Sequence, residues 1–219
     1  LIRPKRTTLI SRSQVELERE LKFPHSSQVW KGIPIISANM DTTGTMEVYD
    51  VLSKYKMLTC LNKFYNLKDF QKRWETNPMD PDYFMISTGI DERNFSNLCD
   101  IVSFTNCKWL CVDIANGYME QLVRFCDKCR STWKDIILVA GNVATREMVE
   151  ELIINGGVDV VKVGIGPGSA CLTRLKTGVG VPQLSAIMDC ADAAHGLNAN
   201  IIGDGGVTCP GDMAKAFGG

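Results

Sequence analysis

The sequence predicts an α/β chain built as a TIM-type (β/α)8 barrel. Three observations carry that reading. Continuous β-branched apolar runs alternate with amphipathic segments throughout the 219 residues, the pattern of parallel strands covered on both faces. A polar or glycine cluster follows nearly every strand: Asn39-Met40-Asp41, Asn62-Lys63, Asp113, Gly141-Asn142, Gly164 to Gly168 and Asp204-Gly205-Gly206. A barrel assembles its site from these C-terminal strand ends. Seven such units can be counted, a number that also suits a doubly wound sheet, and the placement of the polar clusters favours the barrel. The chain stops at Ala216-Phe217-Gly218-Gly219, where an eighth strand is due. The expectation is therefore one barrel domain over 1–219, lacking its eighth strand and C-terminal segment.

The elements follow in order. Residues 33–40 (IPIISANM) read as a buried strand, 45–55 as a helix, 58–62 (LTCLN) as a strand and 67–75 as a helix. Residues 82–88 form the next strand, with a helix around 94–102, then a strand at 109–115. Over 118–133, Met119, Leu122, Val123 and Cys126 recur at helical spacing on one face. Strands at 136–143, 158–166 and 199–206 alternate with helices at 146–156, 182–196 and 211–219.

Composition narrows the function classes. Hydrophobic residues make up 45% and net charge is −1, so nothing points to nucleic acid or an anionic membrane surface. The apolar runs are too short to span a bilayer, and Leu1 to Ser13 lacks the apolar core of a signal peptide. Nine cysteines, an odd number, fit buried thiols in a reducing compartment better than a disulfide scaffold. The single C-x-x-C, Cys126 to Cys129, falls mid-helix and has no second ligand pair for zinc.

The most informative stretch is VKVGIGPGSACLTRLKTGVGVPQLS, Val161 to Ser185. It is not a Walker A loop, because Lys176-Thr177 follows Leu175, and it is not the dinucleotide fingerprint, because Ser169 takes the last glycine position. A flexible loop is one reading. Against it, glycines at a strand end permit close backbone approach, and such loops turn amides toward anions and carbonyls toward cations. The Cys171 thiol, set among glycines near Arg174, suits a reactive thiolate.

This loop resembles the active-site loop of the IMP dehydrogenase and GMP reductase family. Residues 3–19, 37–48, 112–120, 140–153, 191–197 and 204–217 are similar to the GMP reductase branch; Ala115-Asn116-Gly117 differs from the dehydrogenase pattern. The resemblance implies NADPH-dependent reductive deamination of GMP to IMP, with ammonia released, in purine nucleotide salvage. Cys171 would add to purine C2 and form a covalent thioimidate, with Thr173 in the proton relay, a residue that the family pairs with a flap glutamate. The family's last strand, flap and C-terminal segment are not expected within these residues. Lys63 and Asp113 match catalytic residues that also meet the cofactor. Ser169, Asp204, Gly205, Gly206 and Met40 match substrate contacts. Ser11, Arg12, Ile114, Ala115, Ile165 and Gly166 match further cofactor contacts, the first two across a subunit boundary. Gly166, Gly168, Cys171 and Arg174 match a monovalent cation site, usually potassium. A cytoplasmic homotetramer is implied as well.

The chain departs from the family pattern at Asn62 and Phe64, where histidines flank the lysine, and at Leu172, where threonine is usual. These departures support a second reading, a truncated non-catalytic paralogue that binds purine nucleotide or co-assembles with a complete homologue. IMP dehydrogenase is a third reading.

Overall fold

Parallel strands lie side by side in chain order, and that order decides the architecture. In the computed structural model, which describes residues 1–219, the seven-stranded sheet runs β3 (Ile36–Ser37), β4 (Leu58–Cys60), β5 (Phe84–Thr88), β6 (Trp109–Asp113), β7 (Ile137–Val143), β8 (Val160–Val163) and β9 (Asn200–Gly203) without a reversal. A doubly wound sheet reverses its order at a switch point. A sheet that never reverses keeps all its crossovers on one side and curls toward a barrel. Before it comes an antiparallel hairpin, β1 (Arg19–Lys22) and β2 (Val29–Gly32), in which Leu21 faces Trp30. The crossovers carry α1 (Met46–Leu52), α2 (Leu67–Thr76), α3 (Phe95–Thr105), α4 (Glu120–Thr132) and α5 (Arg146–Ile154). After β8 come α6 (Thr173–Thr177) and α7 (Gln183–Gly196), and α8 (Pro210–Gly218) follows β9.

Each strand feeds two cores, because successive side chains point to opposite faces. On β6, Leu110 and Val112 join the outer core of 34 buried residues beneath the helices. Trp109 and Cys111 join the inner core of 10, with Leu58, Met85, Ile137, Val139 and Val160. The hairpin closes the N-terminal end of this interior. Phe23 and Trp30 meet Trp109 edge-on, with ring centroids 5.4 and 6.0 Å away.

A buried ion pair fixes that closure. Asp159, fully buried at the start of β8, pairs with Arg130 of α4. Its carboxylate also accepts the backbone N–H groups of His25 (3.0 Å), Ser26 (3.2 Å) and Leu138 (2.9 Å). Arg130 donates further to the carbonyls of Gly157, Lys134 and Ile136, at 2.9, 3.0 and 2.8 Å. Both charges are compensated, as a buried pair requires.

One expectation changes and two elements come in addition. The first strand, expected over 33–40, shortens to Ile36–Ser37, because Ala38 to Thr43 turns back on itself: the Met40 and Gly44 amides bond the Ala38 and Met40 carbonyls. The hairpin was not anticipated, since its strands are short and largely exposed. Nor was α6, five residues inside the glycine loop. The C-x-x-C pair lies mid-helix as expected, with both thiols buried in the outer core.

Candidate active site

The inward row of the sheet turns from apolar to charged at its C-terminal end. Asp113, Gly141 and Lys162 stand in register across β6, β7 and β8, and Asp204 follows β9. Lys162 is the centre of the cluster. Its side chain is only 8% exposed, and Nζ lies 2.6 Å from Asp113 Oδ1, 3.3 Å from Asp204 Oδ2 and 3.0 Å from Asn39 Oδ1. Asn142 Nδ2 donates to the same Asp204 oxygen (2.6 Å) and to the Gly164 carbonyl (2.9 Å). Burial works to lower the pKa of the ammonium, whereas facing Cys111, Asp204 and Asp113 works to raise it; the upward pull prevails, and Lys162 stays charged. Gly141 makes room for it: a Cβ there would lie 2.5 Å from the Lys162 carbonyl oxygen and 2.6 Å from its Cβ.

Beside this cluster sits the glycine loop. Gly166 takes a φ of +63°, a left-handed conformation that favours glycine, and this brings Thr173 and Arg174 back over the loop. Cys171 is half-buried. Its Sγ lies 3.4 Å from Thr173 Oγ1, and its amide donates to the Gly168 carbonyl (3.1 Å). The Thr173 hydroxyl and amide lower the thiol's pKa by bonding the thiolate, and Arg174 adds a smaller attraction. Burial pushes the Cys107, Cys129 and Cys190 thiols the other way, to about 12. Among these thiols, Cys171 is the one tuned toward the nucleophilic form. Pro167 packs on Gly205 and Gly206, where a Cβ would lie 3.3 and 3.1 Å from its ring. Ser169 and the Asp204-Gly205-Gly206 turn therefore belong to adjoining loops.

The other expected residues are placed as follows. Lys63 lines a cavity of about 610 Å³ with Asn62, Phe64, Thr88, Asp91 and Arg93, at the ends of β4 and β5. Asn62 orders that loop, donating to the Gly44 carbonyl (3.0 Å) and accepting the Phe64 amide (3.1 Å). Ile114 exchanges backbone hydrogen bonds with Gly141 and Asn142, both at 2.9 Å, and Ala115 follows it at the mouth. Met40 is exposed beyond β3. Ser11 caps the short turn Arg12–Gln14 of the exposed N-terminal arm, and its contacts there are local. For the cation, the Gly168 and Arg174 carbonyls each already accept one N–H, from Cys171 and Gly178, and each keeps a second lone pair. The Arg174 guanidinium bonds the Ile165 and Val181 carbonyls. Carbonyl oxygens are the donor type that a monovalent cation takes.

Of the cluster, Asn39 and Asn142 were expected only as polar residues at strand ends, and Lys162 was not expected in the site. The signal for Lys162 was present: a lone lysine inside the apolar run VDVVKVG occupies an inward strand position, where a charge needs partners.

The chain is an incipient parallel barrel that gathers a thiol of lowered pKa, a glycine loop and two carboxylates paired with one lysine at its C-terminal strand ends, the end at which such barrels build their sites. Residues 1–219 match the model of the IMP dehydrogenase / GMP reductase domain, and the chain belongs to that family. It is 53% identical to the GMP reductase of Tolumonas auensis over 225 residues, and 52% identical to those of Aeromonas hydrophila and Enterobacter sp. over 221. Each comparison covers 100% of this chain and 63% of the relative, so the chain spans a little under two thirds of the length of the relatives it matches. No helix is long and apolar enough to cross a membrane.

Proposed function

We propose that the protein catalyses reductive deamination of GMP, in which GMP, NADPH and a proton give IMP, ammonia and NADP⁺. The observation that carries this reading is the pairing of a pKa-lowered Cys171 with Thr173 in a loop that packs against the turn after Asp204. The three named relatives, each called GMP reductase, support it.

Cys171 Sγ adds to purine C2 as thiolate. The amino group leaves as ammonia once protonated, with Thr173 Oγ1 relaying the proton, and a thioimidate remains on Cys171. NADPH, when bound, supplies the hydride that reaches C2 and releases the thiolate. Ser169, Gly205 and Gly206 hold the phosphate through hydroxyl and amide donors, Asp204 takes ribose hydroxyls, and Met40 packs on the base. Lys63, after β4, and Asp113, at the end of β6, border the reacting carbon. The cavity beside Lys63, with its polar rim, suits part of a dinucleotide, which Ile114, Ala115, Ile165 and Gly166 would border. Ser11 and Arg12 reach the cofactor from a neighbouring subunit of a tetramer, where the guanidinium suits a ribose phosphate. A monovalent cation on the Gly166, Gly168, Cys171 and Arg174 carbonyls would brace the loop.

The test mixes protein, GMP and NADPH and follows the loss of NADPH absorbance, with Cys171→Ala as control. Consumption that disappears in the variant supports the proposal, and its absence in the unaltered protein refutes it. The second reading, a nucleotide-binding paralogue without activity, draws on Phe64, 69% exposed where the family pattern has a polar group beside the lysine. GMP binding without turnover would favour it.

A further inference from the structure

We infer that Lys162 is a positioning residue that aligns Asp113 with Asp204, so that turnover and nucleotide affinity share one buried ammonium; the inference rests on the function proposed above. The geometry argues for indirect action. An ammonium has three N–H donors, and Lys162 has three acceptors in reach, on Asp113, Asn39 and Asp204. Asn39 and Asp113 accept hydrogen bonds and Asp204 adds an ion pair, so the ammonium is turned toward its protein partners. These acceptors come from three separate segments, after β3, at the end of β6 and after β9, which have no other side-chain bond to one another in this cluster. Asn142 fixes the Asp204 oxygen from a fourth, β7. The ammonium therefore acts as a common node: Asp113 faces the reacting carbon in the proposed mechanism, Asp204 faces the ribose, and Lys162 holds one relative to the other.

The position is specific in shape as well as charge. Lys162 stands in register with Gly141, whose missing side chain provides the space for it. A misplacement of about 1 Å in a catalytic group costs on the order of 100-fold in rate, and a node serving two carboxylates transmits its loss to both.

The experiment uses Lys162→Met, Asp204→Asn, the double variant and Asn39→Ala, with circular dichroism to confirm folding. GMP affinity is read by calorimetry and kcat by NADPH consumption. Lys162→Met is expected to lower kcat by about 100-fold and to weaken GMP binding by about tenfold. In the Asp204→Asn background the same change should weaken GMP binding by less than about threefold, because residues acting as a unit are not additive. Asn39→Ala keeps every charge and removes one acceptor; it should lower kcat by about tenfold, the cost of one hydrogen bond to a charged group. Folded Lys162→Met with native kcat, additive losses of GMP affinity, or native kcat in Asn39→Ala would each overturn the inference while leaving the proposed function intact. If the unaltered protein neither binds GMP nor consumes NADPH, the proposed function falls and this inference falls with it.

Discussion

Replacing Asp159 with alanine should destabilise the protein through the closed end of the barrel, far from the chemistry. The carboxylate is fully buried, pairs with Arg130 and accepts three backbone N–H groups, two of them from the hairpin loop. Its removal leaves the Arg130 guanidinium, only 14% exposed, with carbonyl partners but no counter-charge, and it orphans the His25 and Ser26 amides. Breaking a buried pair from one side costs about 3–5 kcal/mol. For a chain of this size each kcal/mol shifts Tm by about 2–4 °C, so a fall of roughly 6–20 °C is expected in thermal denaturation followed by circular dichroism. Limited proteolysis should cut first within 23–28. The double variant Arg130→Met with Asp159→Leu should recover part of the loss, because an apolar pair leaves no uncompensated charge. A shift under about 2 °C in Asp159→Ala, or a double variant no better than the single, would refute the reasoning.

Other outcomes follow from the same structure. Gly141→Ala forces a methyl into the Lys162 backbone and should cost about 1–3 kcal/mol as overpacking, visible as a lower midpoint in urea. Trp30→Ala empties the aromatic contact with Trp109 and should cost about 3–5 kcal/mol, measured in the same way. Iodoacetamide should label Cys171 well before the buried thiols in a peptide-mapped time course. Because its pKa is lowered, the labelling rate should reach half its plateau at a lower pH than that of a free cysteine. Thr173→Val should move that midpoint back up, since it removes the hydroxyl that bonds the thiolate.

The barrel could be read from the chain because parallel strands buried on both faces leave a simple trace: runs such as Trp109 to Val112 and Ile137 to Ala140 are apolar on both sides of the pleat. The polar residues at their ends marked the mouth for the same reason. The hairpin escaped because Arg19 to Lys22 and Val29 to Gly32 carry no such run; what holds them is Trp30 and the remote Asp159, a partner more than a hundred residues away. In the site, the motif residues Cys171, Thr173 and Asp204 were legible as local patterns. The Lys162 node was not, since Asn39, Asp113, Lys162 and Asp204 become neighbours only when the sheet curls. Ser11 and Arg12 left no trace in the fold either, because their turn is exposed and its contacts stay within the N-terminal arm.

Along β6, three inward positions pass from Trp109 to Cys111 to Asp113, from aromatic floor to thiol to carboxylate. Phe23 and Trp30 seal that floor, while the sheet stays unpaired between β3 and β9, so the interior is a trough with a closed base. Depth in the trough therefore grades the surroundings: a side chain at Cys111 stands in an apolar setting, and one two residues further along stands among charges.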